Sequence, residues 1–171
     1  MKFLRNILII AVALVIQSTV FGKLDLFGVR PDLALVVLIF LTGESSTVEL
    51  IAYGFFIGFI QDVYSPEYLG YNSFAMSITA FFLDMIKERL TVENYTVRLF
   101  TTFLACLLHD LVYLSLLTRF EMTVFVSVFV TESLPGAVYT SVVALAIVKV
   151  WQWAQSGGLF YVVRELLGSG R

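Results

Sequence analysis

The chain has 171 residues, of which 59% are hydrophobic and only 14% charged, whereas soluble domains run at roughly 45–50% apolar and about 25% charged. With a mean hydropathy of +0.91 carried in long apolar runs, it reads as an integral membrane protein with no room for a separate soluble domain. A net charge of −2 gives no argument for a nucleic-acid partner, and the one cysteine, Cys106, excludes an internal disulfide.

Apolar segments fall at about 3–21, 31–43, 48–63, 69–86, 97–118 and 125–150. The first follows Met1-Lys-Phe-Leu-Arg5 as a signal peptide would, but it reaches Phe21 without an Ala-x-Ala cleavage site and reads as a retained helix. The second, Pro31–Gly43, is short: as a helix it would cover about 20 Å of a hydrocarbon core about 30 Å thick. It is either re-entrant, giving five spans, or a short helix sheltered in a bundle, giving six. Pro31 suits the first turn of that helix, where a missing N–H is no loss. Ser46-Thr-Val-Glu49 has capping-box spacing and starts the third segment, which Ser65-Pro66 stops. Gly70 falls in the turn before the fourth segment or at its start. The fifth and sixth are long enough to span unaided. Pro135-Gly136 breaks or kinks the sixth and frees carbonyls near Thr131 and Glu132. Trp151 and Trp153 mark an interface, beyond which Leu159–Leu167 can lie flat as a short amphipathic helix.

Charge decides between five and six spans. Six spans with the N-terminus inside place Lys2, Arg5, Lys87, Arg89, Arg98, Lys149, Arg164 and Arg171 in the cytoplasm, and only Lys23, Arg30 and Arg119 outside. A re-entrant second segment turns eight inside against three outside into the reverse. The positive-inside rule therefore favours an all-α bundle of six transmembrane helices with both termini cytoplasmic. The whole chain, 1–171, forms one such domain, with 151–171 as a cytoplasmic interfacial tail.

The polar residues are few enough to take singly. In Gly54-Phe-Phe-Ile-Gly58-Phe-Ile-Gln61-Asp62, the residues Gly54, Gly58, Gln61 and Asp62 lie at relative positions 0, 4, 7 and 8, one helical face. Small residues four apart admit a second backbone, so this face is a helix-packing or partner seam. Asp62 opposes the dipole at its helix end, so something else must reward it: Asn72, the backbone of the 64–70 turn, or a partner. In the six-span topology Asp32, Asp62, Asn72, His109, Asp110 and Glu132 gather in the periplasmic half. Asp84, Glu88 and Glu93 sit at the inner end, where Lys87 and Arg89 pair with them. Asp110 is the deepest, and an ionised aspartate at a helix centre costs about 2.5–3.5 kcal/mol on insertion scales. Its own helix offers Cys106 and Tyr113 at −4 and +3, and structural hydrogen bonding is the main reading. His109-Asp110 makes a poor metal motif, because adjacent helical residues diverge by about 100° and the chain has no second histidine. Glu132 is read as bonding within its helix near the proline break. No nucleotide-binding loop, zinc spacing or nucleophile motif occurs, so no cofactor, metal or catalytic residue is expected.

Three blocks together carry a family resemblance: Arg30-Pro-Asp-Leu33, then Gly54-Phe-x-x-Gly58-x-x-Gln-Asp62, then Gly70-x-Asn72-x-Phe74. The chain resembles the rod shape-determining protein MreD family across essentially its whole length, the second block being the most diagnostic. The resemblance implies a multi-pass protein of the bacterial inner membrane whose fold is similar to the substrate-binding subunits of energy-coupling-factor transporters. It implies MreC as a direct partner, and MreB, RodA and a class B transpeptidase as indirect ones, in sidewall peptidoglycan synthesis. The expected function is thus a non-enzymatic scaffold of the cell-elongation complex. The alternative is a transport subunit holding a small cationic or donor-rich solute among the outer carboxylates.

Overall fold

A computed structural model describes residues 2–21, 31–90 and 95–155, and all regular structure among them is helical. Helix α1 (Lys2–Ile16) runs on through a π turn at Gln17–Phe21. Helices α2 (Leu33–Thr42), α3 (Thr47–Val63), α4 (Tyr71–Leu90) and α5 (Tyr95–Leu117) follow. The last rod joins α6 (Met122–Val128), a π turn at Phe129–Ser133, and α7 (Leu134–Gln155). Six helical rods thus correspond to the six apolar segments. The connection bearing Lys23 and Arg30, the segment bearing Glu93, and the flat helix expected over Leu159–Leu167 lie outside the described residues.

Helix α2 is the hub. It packs against α1, α3, α4, α5 and α7, and Ala34, Leu35, Val36, Leu38 and Thr42 are all at most 2% exposed. A helix apolar on every side needs neighbours on most sides, and LALVVLIFLT has them except at Phe40, which is exposed. It begins at Leu33, so Pro31 stands ahead of the N-cap Asp32 and not in the first helical turn as expected. The 10 residues of α2 extend only about 15 Å, half of a bilayer core.

Elsewhere the ends follow their local chemistry. Ser46 and Glu49 complete a reciprocal capping box at the start of α3. The residue ahead of Pro135 does not end the helix. Instead Leu134 N–H reaches back to Phe129 O, widening one turn into a π turn so that the rod passes the proline unbroken. The break expected there is a local change of winding.

Tyr95–Leu117 and the rod Met122–Val150 are each long and apolar enough to cross a membrane, whereas Leu4–Thr19 and Leu33–Thr42 are apolar but shorter. Large apolar side chains cover much of the outside, including Leu8, Val15, Phe56, Phe100, Val138 and Val142, each at least 50% exposed. So much exposed hydrocarbon on all sides suits a lipid surround. Hydroxyls within the rods are hidden locally: Thr42, Ser77, Thr79, Thr102, Ser115, Thr118, Thr131 and Ser141 each donate to the carbonyl four residues back.

Candidate functional site

The diagnostic block folds into the junction of α3 and α4, the most closely packed pair in the bundle. Asp62 is 1% exposed. Its Oδ2 accepts from Gly70 N–H (2.9 Å), Ser73 N–H (3.0 Å) and the Ser73 hydroxyl (2.7 Å), and its Oδ1 accepts from Asn72 N–H (2.9 Å). Gly70, Asn72 and Ser73 are the N-cap, second and third positions of α4, whose N–H groups have no partner inside the helix. Asp62 therefore caps α4 from the end of α3. Gly70, at φ +97°, takes the left-handed conformation that brings its own N–H onto the carboxylate. The reward for an acid at the wrong end of one helix dipole is the right end of the next. Ser73, the strongest side-chain contributor, went unread in the sequence; a serine three residues after a turn glycine was the available signal.

The two glycines sit directly against α4. A Cβ on Gly58 would lie 2.4 Å from Asn72 O and 2.5 Å from Ser73 N, and one on Gly54 would lie 2.7 Å from Met76 O. Gln61 is partly buried at the end of this face, and its Oε1 has no hydrogen-bond partner among the described residues. At the opposite end of the hairpin, Thr47 Oγ1 donates to Asp84 Oδ2 at 2.7 Å, and Lys87 Nζ lies 2.8 Å from Asp84 Oδ1. One carboxylate thus ties each end of α3–α4, with backbone-to-backbone contact between.

The start of α2 is capped by its own N-cap Asp32 and by two side chains from other helices. Asp32 Oδ1 accepts from Leu35 N–H (3.1 Å), Gln17 Oε1 from Ala34 N–H (2.9 Å), and Thr140 Oγ1 from Asp32 N–H (3.1 Å). Ala34 and Leu35 are buried, so without these acceptors their N–H groups would be left unpaired. Gln17 and Thr140 were not singled out in the sequence, although a glutamine closing an apolar run is itself a signal.

Of the polar residues expected in the periplasmic half, the structure brings Asp32, His109, Asp110 and Glu132 to one cavity of about 220 Å³, and places Asp62 and Asn72 in the α3–α4 junction. Cys106, Tyr113, Ser133 and Thr140 share the cavity wall. His109 Nδ1 lies 3.0 Å from Asp110 Oδ1, so these chain neighbours meet despite their angular divergence. The imidazole stacks on Tyr113 with centroids 6.1 Å apart, and its buried Nε2 has no hydrogen-bond partner among the described residues. With its proton on Nδ1, held by the carboxylate, the ring would leave Nε2 as an acceptor. Asp110 is 30% exposed and Glu132 is exposed, in the turn the π winding creates. Together with Asp32, the cavity is mostly acceptors. No group of three or more His, Cys, Asp or Glu among the described residues is arranged to hold a metal ion.

The junction thus holds the second and third of the sequence blocks that carried the family resemblance, and the α2 cap holds Pro31, Asp32 and Leu33 of the first. A model of the rod shape-determining protein MreD family matches residues 1–153. Neither the curated proteins nor the solved structures include a match to the chain. With all but the last 18 of its 171 residues inside that match (171 − 153), the chain belongs to the MreD family of rod shape-determining proteins.

Proposed function

We propose that the chain is a non-enzymatic, six-span scaffold of the bacterial cell-elongation complex in the inner membrane, with both termini cytoplasmic. In this reading it binds MreC and through it supports the sidewall peptidoglycan machinery of MreB, RodA and a class B transpeptidase. The family match over 1–153 carries the reading. The chemistry of the family-diagnostic block agrees with it: Asp62 is consumed by four hydrogen bonds to α4, a structural use that leaves no reactive group. Because α4 covers the Gly54/Gly58 face, the partner surface belongs on the lipid-exposed faces.

Photo-crosslinking in cells tests this. A photoreactive residue is placed singly at the exposed positions Phe56, Phe100, Val138 and Val142, with the fully buried Ile57 as control. One face should capture MreC, and Ile57 should not. Absence of MreC adducts from every exposed face, with the variants expressed normally, would sink the scaffold reading. A second reading, a small-solute-binding subunit, has the cavity around His109 in its favour. At about 220 Å³ it falls below the roughly 300–1,000 Å³ usual for drug-sized ligands, so its occupant would be a small amine or similar donor. A solute retained in the native mass spectrum and lost on His109→Ala is the outcome that would favour it.

A further inference from the structure

At the other end of the bundle from Asp62, a cavity of about 260 Å³ opens between α2, α4, α5 and α7. Its walls are mostly apolar, with Val36, Ile39 and Phe40 from α2 and Leu145 and Val148 from α7. Two cations, Lys87 and Arg98, share the lining. Lys87 is held by Asp84. Arg98 is partly buried, and among the described residues its guanidinium makes no ion pair.

That combination is specific. A guanidinium withdrawn from water beside hydrocarbon is costly until an anion meets it. Its planar fork matches the paired oxygens of a phosphate. A free anion would use the cation and waste the apolar wall, whereas an acidic phospholipid uses both. Arg98 is in the first turn of α5 and Lys87 in the last turn of α4, the depth at which a headgroup lies. The wall leads outward past Phe40, which is 40% exposed. This end also carries Lys2, Arg5 and Lys149, and basic pockets between helices on the cytoplasmic side suit anionic headgroups.

We propose that this groove seats one acidic phospholipid, its phosphate on Arg98 with Lys87 beside it, and an acyl chain along Val36, Phe40 and Val148. The proposal rests on the membrane reading of the chain but not on MreC binding, so either can fail alone.

The test uses the full chain purified in detergent, with phosphatidylglycerol, phosphatidylcholine of the same acyl chains, and inorganic phosphate as separate probes. Native mass spectrometry should show one phosphatidylglycerol retained in preference to phosphatidylcholine, and only phosphatidylglycerol should raise Tm. Arg98→Gln should weaken retention about tenfold, the worth of one charged, bidentate contact. Arg98→Lys, which keeps the charge and loses the fork, should fall between and covers the case in which Arg98→Gln does not fold. Arg119→Gln, in the turn just past the far end of α5, should behave as the unaltered chain. Equal retention of phosphatidylcholine, equal stabilisation by inorganic phosphate, or unchanged retention in a folded Arg98→Gln or Arg98→Lys variant would each overturn the proposal.

Discussion

Asp62 shows how much one carboxylate can organise when its four acceptor contacts are all used. Replacing it with alanine strands three helix-start N–H groups and a hydroxyl, those of Ser73 buried and those of Gly70 and Asn72 partly buried, and each stranded buried donor costs about 1–3 kcal/mol. Asp62→Ala should therefore lose at least about 3 kcal/mol, and Ser73→Ala, which removes one charge-assisted bond, about 1–2 kcal/mol. Thermal unfolding in detergent measures both. An Asp62→Ala protein that melts with the unaltered chain would show that the junction contributes nothing. In the sequence, Asp62 was legible as a residue needing a reward, because an acid at a helix C-terminus opposes the dipole. Its partners were less so. Backbone N–H groups carry no residue signature, and Ser73 looks like any helix-start serine.

For the elements, the seam decides which substitutions are tolerated. At Gly58 a methyl group would meet backbone atoms of Asn72 and Ser73 at 2.4–2.5 Å, and backbone cannot swing aside. At Gly54 the nearest contact is 2.7 Å and a second, to Ala80 Cβ, is 3.1 Å. Gly58→Ala should thus be the more damaging, by up to the about 1–3 kcal/mol typical of overpacking, and Gly58→Leu should fail to fold. Equal melting of Gly54→Ala and Gly58→Ala would refute the ranking. The spacing of the glycines revealed the close approach, and Ser46-x-x-Glu49 revealed the capping box. The π turn at Phe129–Ser133 was hidden, because Pro135 announces only that a hydrogen bond is lost. Whether the helix breaks or rewinds depends on neighbours that lie far off in the chain.

For the whole molecule, the number of helical segments was legible because hydropathy is summed over many residues. The meeting of Asp32, His109, Asp110 and Glu132 in one cavity, and the separation of Asp62 from it, depend on how α2, α5 and α7 rotate against one another, which no single segment encodes. The topology itself can be read chemically. In a Cys106→Ala background, cysteines at Tyr68 and Arg119 should react with an impermeant maleimide from outside, and one at Glu44 only after the inner membrane is opened. Labelling of Glu44→Cys in intact spheroplasts would invert the arrangement.

The central position of α2 bears on how such a chain is made. A rod of 10 residues crosses only half of a bilayer core, and its first N–H groups bond to Gln17 and Thr140. One partner precedes its contact by 17 residues in the chain, and the other follows by 108. As the chain is made, the Asp32 N–H therefore lacks this partner until Thr140 has been added. A residue of α7 thus completes the cap of α2.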